Sequence, residues 1–126
     1  MRPIKFRAWE KNLRAMISVD SINFEAGLIN MELVWRTFEE IELMQYTGLK
    51  DKNGVEIYEG DIVENASKDL KFQVVYEAPS FNRKWIDNTS KRYREHLTEP
   101  LAWNTYMICE VIGNIYENPE LLGDSQ

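Results

Sequence analysis

A chain of 126 residues is long enough for one domain, or one domain with two lobes. Its 44% hydrophobic content and fifteen aromatics exclude a disordered chain and supply a sizeable core. The formal charge of −6 argues against broad, non-specific binding to nucleic-acid backbones, which such a charge repels.

In chain order, Ile4-Lys5-Phe6-Arg7-Ala8-Trp9 alternates with period two, predicting a half-buried strand with Ile4, Phe6 and Ala8 on one face. Glu10-Lys11-Asn12 reads as a turn and Leu13–Val19 as a returning strand around Ala15 and Ile17. Ser21–Phe24 and Leu28–Met31 flank Glu25-Ala26-Gly27, a second hairpin. Met31–Glu40 stays open. The run Leu33-Val34-Trp35 suits a strand, and the spacing Val34, Trp35, Phe38, Ile41 suits a short helix equally well. Ile41–Tyr46 is a strand entering the central stretch.

That stretch, Met44–Val63, reads as strand, turn, short strand, turn, strand. Asn53-Gly54 marks a tight turn, because both residues tolerate positive φ, and Gly48 and Gly60 punctuate either side. Beyond it, Ala66–Asp69 is a loop. Leu70–Glu77 is a strand with Phe72, Val74 and Tyr76 on one face, ended by Pro79. Phe81–Ile86 is its partner, with Phe81, Arg83 and Trp85 on one side. Ser90–Leu97 suits a helix capped by Ser90, and Leu101–Ile108 is apolar without clean periodicity. Glu110–Tyr116 is a strand bent at Gly113-Asn114. Asn118 then caps a short helical turn opened by Pro119 and stopped by Gly123.

Short strands spaced by turn signals predict a mainly β fold with minor helical turns. The expected architecture is a small SH3-like, partly open barrel over 46–126, with a variable segment at 68–106. A β-hairpin lobe over 1–45 packs on it within a single domain.

The chemistry of the chain is sparse. His96 and Cys109 are its only histidine and cysteine, too few for a zinc set, so no metal and no cofactor are expected. Cys109 cannot form an internal disulfide, and its neighbours Tyr106, Met107, Ile108, Val111 and Ile112 predict a buried structural thiol. Asp51-Lys52-Asn53-Gly54 has a calcium-loop flavour, but the glycine falls too early and no glutamate closes the loop. Glu59 and Asp61 are the one carboxylate pair near each other at a turn. Flanking a turn for solubility and local hydrogen bonds is the stronger reading of them. No catalytic residue is assigned. No apolar run reaches the roughly 20 residues of a membrane span. With Arg2, Lys5 and Arg7 interrupting the first apolar residues, no signal peptide is expected, and the lone cysteine fits a reducing cytoplasm.

Charge is uneven. Residues 37–65 hold eight acidic residues against Lys50 and Lys52, while 81–96 hold five cations against Asp87 and Glu95. The candidate interaction surface is Phe81, Arg83, Lys84, Trp85, Lys91, Arg92, Tyr93 and Arg94. Its aromatics can stack on bases and its cations meet phosphates, or the patch can meet the acidic middle of a second subunit.

The run MQYTGLKDKNGVEIYEGDIV, with IKFRAWEK near the start and EVIGNIYENPELL near the end, resembles the YopX family of bacteriophage and prophage proteins. Arg7, Trp9, Tyr46–Asp51, Tyr58–Asp61 and Val111–Pro119 carry the likeness, in family order. The resemblance implies a small, soluble phage-encoded protein in the cytoplasm of a bacterial host cell, and it implies no enzyme, cofactor or catalytic residue. The expected role is therefore a non-enzymatic, self-associating accessory protein whose other partners are host or phage proteins. The alternatives are a single-stranded nucleic-acid binder acting through 81–96, disfavoured by the net charge, and an enzyme with an unrecognised carboxylate site.

Overall fold

The computed structural model describes residues 3–65, 70–77, 80–86, 98–100 and 109–122. The helix expected over Ser90–Leu97, the loop at Ala66–Asp69, the stop at Pro79, the apolar stretch Leu101–Ile108 and the stop at Gly123 lie outside these residues. The chain is mainly β and divides into two compact units, Met1–Tyr46 and Thr47–Gln126. Among the described residues no helix is long and apolar enough to cross a membrane.

In the first unit, β1 (Phe6–Glu10) lies between β2 (Ala15–Ser18) and the first half of β6 (Ile41–Lys50), antiparallel to both. A second, three-stranded sheet is formed by β3 (Ser21–Asn23), β4 (Leu28–Met31) and β5 (Val34–Thr37). Period-two alternation sends Ala8 from the first sheet and Ile29 and Met31 from the second into a common core with Ile41, flanked by Ile17, Ile22 and Leu43. The expected first strand holds its phase but starts later. Ile4 is exposed, and the buried face is instead completed by Glu10. The open segment Met31–Glu40 contains both alternatives in sequence, β5 and then a 3-10 turn at Phe38–Glu40.

Glu10 is a carboxylate with only 1% of its surface exposed, and it is fully employed. Its Oε2 accepts from Arg36 Nε at 2.9 Å, while Oε1 accepts from the backbone N–H of Asn12 and Leu13. One side chain thereby closes the β1–β2 turn and joins β1 to β5. The charge of Arg36 is what makes burial tolerable, since a buried ion left without its partner is strongly destabilising.

In the second unit, the later half of β6 pairs with β7 (Glu56–Tyr58). A curled half-barrel sheet follows. Its order is β11 (Thr98–Pro100), β10 (Ser80–Ile86), β9 (Leu70–Glu77), β8 (Asp61–Asn65) and β12 (Glu110–Asn114), with antiparallel neighbours. Ile57, Val63, Phe72, Val74 and Cys109 form its core, with Leu49, Leu70 and Val111 against them. The bend expected in β12 is a register shift between Val111 and Gly113, a bulge.

Two turn readings change. Gly48 does not end a strand; β6 runs through it at φ 90°. Asn118 does not turn its side chain toward the 3-10 turn at Pro119–Leu122. Its Oδ1 instead accepts the N–H of Asn114, and a Cβ on Gly113 would fall 2.5 Å from that oxygen. The central turn is as expected in kind. Asp51 N–H donates to Val55 O, Gly54 N–H donates to Asp51 O, and Gly54 sits at φ 84°. This is a three-residue hairpin loop with glycine in the left-handed position.

Two predictions follow from these turns and pairs. Open space surrounds Gly54, so only its backbone conformation resists a side chain. Gly54→Val should cost more than about 1 kcal/mol, read as a lower urea midpoint at unchanged m-value, whereas Gly54→Asn should lose less. An unchanged midpoint for the valine variant would refute the turn. The second concerns Glu10, whose pKa is held below the ordinary 4.5, first by the Arg36 hydrogen bond and then by the two backbone donors, against the opposing effect of burial. A depressed folded-state pKa gives stability that is complete above the unfolded value and is lost as pH falls through the folded one. Glu10→Gln should therefore be less stable than the wild type near neutrality, and the gap should narrow below about pH 4.5. A gap constant from pH 7 to pH 3, measured by denaturant titration, would show that the carboxylate charge is immaterial.

Candidate functional site

The basic–aromatic constellation divides when placed on its strands. On β10, Phe81 pairs with Tyr76 and Arg83 with Val74, while Trp85 is in register with Phe72. Phe81 and Arg83 thus share the sheet face that carries the core residue Val74. The Arg83 guanidinium lies 4.6 Å from the centre of the Phe72 ring, and Phe81 meets Tyr76 edge-on at 5.2 Å. Lys84 pairs with Gln73 on the opposite face. Lys91, Arg92, Tyr93 and Arg94 lie outside the described residues. No single face of β10 combines Lys84 with Phe81 and Arg83.

The acidic middle is also largely committed inside its own units. Asp51 and Asp61 are buried. Asp51 Oδ1 accepts the N–H groups of Asn53 and Val55, and its Oδ2 accepts that of Val111. Asp61 Oδ2 accepts the N–H of Tyr58, closing the turn before β8. Glu40 takes the N–H of Thr37, Glu42 pairs with Lys11, and Glu64 with Lys71. The Glu59/Asp61 pair is therefore a turn residue beside a buried structural carboxylate. Cys109 is buried beside Ile57 and Phe72. Burial raises its thiol pKa above 9.0, with Arg83 and Lys52 pulling weakly the other way.

Exposed apolar side chains concentrate elsewhere, around the β3–β4–β5 sheet. Trp35 pairs with Asn30 on the face opposite Ile29 and Met31, and is 52% exposed. Leu33, at the β4–β5 tip, is 92% exposed. At the other end Phe24, 74% exposed, meets Phe38 edge-on at 6.3 Å, and Phe38 N–H donates to Gly27 O. The tip is a two-residue turn in which Glu32 and Leu33 have φ of 50° and 72°. Such turns favour Asn-Gly, and a leucine in the left-handed region costs roughly 1–2 kcal/mol. Asp20 steadies the tip by accepting the Glu32 N–H.

The sequence signal for this surface is the run Leu33-Val34-Trp35 between Glu32 and Arg36. Its hairpin was illegible because neither glycine nor asparagine occupies the turn.

The outer edge of β5 is closed by its own side chains. Alternation from the Met31–Val34 closing pair turns the backbone groups of Trp35 and Thr37 outward. Arg36 Nη1 donates to Trp35 O, and Glu40 accepts from Thr37 N–H. Edges blocked this way resist strand addition.

The buried thiol generates its own prediction. Native Cys109 should react with an alkylating reagent roughly a hundredfold more slowly than in urea, because reaction needs both opening and ionisation. Equal rates would place the thiol at the surface.

Comparison with known proteins agrees with this architecture. The solved structure of protein EF1440 from Enterococcus faecalis is 29% identical, with a TM-score of 0.63 over 97% of this chain and 99% of that one. Protein yopX from Bacillus subtilis is 20% identical, with a TM-score of 0.61 over 96% and 98%, and shares the fold. No curated protein matches the chain. The model of the family described as YopX protein matches residues 5–123, nearly the whole sequence, and the chain belongs to the YopX family.

Proposed function

We propose that this chain is a phage- or prophage-encoded accessory protein that works in the host cytoplasm by binding protein, a second copy of itself included, and not by catalysis. The observation that carries this reading is the gathering of Phe24, Leu33, Trp35 and Phe38 around one small sheet, exposed to solvent. Apolar residues scattered singly need no explanation, but a cluster rimmed by charge marks an interaction surface. Of the one candidate acid–base pair, Glu59 and Asp61, Asp61 accepts the backbone N–H of Tyr58 and so holds a turn.

Light scattering of the full chain tests the reading. At low ionic strength and high micromolar concentration the mass should exceed that of a monomer. It should fall toward the monomer as salt shortens the screening length below about 10 Å. A monomer under all conditions would refute self-association. A monomer that shifts single-stranded nucleic acid in a gel would replace it with the binding role expected of 81–96.

A further inference from the structure

We propose that the outer face of the β3–β4–β5 sheet, centred on Leu33 and Trp35, docks the cationic segment Lys91-Arg92-Tyr93-Arg94 of a second copy of the chain. This rests on the self-association reading and names both sides of its contact.

Charge complementarity selects the occupant. Residues 20–40 carry Asp20, Glu25, Glu32, Glu39 and Glu40 against the single cation Arg36, and Arg36 is held by Glu10. The segment that carries the apolar face is thus strongly acidic, with Glu25, Glu32 and Glu39 exposed. Two such faces meeting across a two-fold axis would set like charges together, so the isologous contact is disfavoured. A cationic, aromatic occupant removes the conflict. Its guanidinium groups can lie over the Trp35 indole and reach the exposed carboxylates, while its tyrosine covers Leu33.

The chain carries such an occupant. Lys11, Lys52 and Lys71 pair with Glu42, Glu110 and Glu64, and Arg83 lies over Phe72. Residues 91–94 place three cations and a tyrosine in four positions. The contact is head-to-tail, since the face and its occupant are different parts of the chain. Such contacts build rings when the rotation closes and open chains when it does not.

Area sets the strength. An aromatic carries roughly 200 Å², so Phe24 at 74% and Trp35 at 52% exposure together leave about 250 Å² in water. A standard interface takes about 800 Å² from each partner. The contact is therefore weak, dependent on salt and on concentration.

The tip supplies a variant that separates binding from folding. Leu33 is strained and exposed, so Glu32→Asn with Leu33→Gly should raise the melting temperature while weakening association at least tenfold. The charge test uses two full-length variants, one with Glu25, Glu32 and Glu39 changed to lysine, the other with Lys91, Arg92 and Arg94 changed to glutamate. Each alone should sediment as a monomer with native circular dichroism, and an equimolar mixture should recover the assembled mass, because each then offers what the other lacks. If the wild type assembles and both variants assemble equally well, the docking face is refuted while self-association stands. If only the acidic-face variant fails, the face takes another occupant and the assignment of 91–94 is refuted. A monomeric wild type overturns both. A mixture that stays monomeric overturns the pairing of these two charges.

Discussion

The carboxylate of Asp51 is the point on which the second unit depends. It is 3% exposed and accepts three backbone N–H groups, those of Asn53 and Val55 in its own hairpin and that of Val111, sixty positions along the chain. The main chain beside it adds Asp51 N–H to Val55 O and Lys52 N–H to Cys109 O. One residue thus shapes the β6–β7 turn and ties it to the start of β12. A carboxylate suits this place because it offers several acceptor positions and no donor. Removing it would leave three donors to find water or remain unpaired, at about 1–3 kcal/mol for each one buried.

The same device recurs wherever the chain must turn inside the structure. Glu10 takes two N–H groups and Arg36 at the β1–β2 turn. Thr47 donates to Ile57 O and accepts from Leu49 N–H, bridging β6 to β7 beside the irregular Gly48. Asn114 Oδ1 accepts from Tyr116 and Glu117, and its Nδ2 donates to Glu117 Oε1. With short strands and many turns, the sheet ladders alone leave donors unsatisfied, and buried polar side chains take over. Each such group is tolerable because its hydrogen bonds are made inside the same compact unit.

These side chains mark the limit of what the sequence discloses. Strand phase was legible, because burial on one face imposes a period of two. Phe72 and Val74 lie inward, and Phe81 and Arg83 share their face. Turn identity was legible where glycine sits at positive φ, as at Gly54 and Gly60. It failed at Gly48, where the same φ occurs within a strand, and at Glu32-Leu33, where ordinary residues occupy a turn that usually excludes them. Burial of charge was not legible at all. Nothing local distinguishes Glu10 from Glu42, yet one is buried on Arg36 and the other is exposed. Summing charges over 37–65 treats buried Asp51 and Asp61 like surface groups, and so overstates the field that segment presents to a partner.

The placement of the family-like residues also separates fold from role. Thr47, Asp51, Gly60, Asp61 and Asn114 are buried, and the hydrogen bonds of the four polar ones explain their chemistry without any ligand. A match carried by such residues reports how the chain folds, and similar structures follow from it. Specific contacts must arise from side chains that the fold does not require. Leu33 is the clearest of these. Its left-handed conformation is unfavourable and its side chain meets almost no protein, whereas glycine at that position would relieve the strain and leave the β4 and β5 pairing unaltered. Within the chain the Asp20 carboxylate steadies the tip through the Glu32 N–H, but the Leu33 side chain itself gains almost no contact for its strain. Another chain can supply that contact, and apolar surface buried there adds stability that folding alone does not provide.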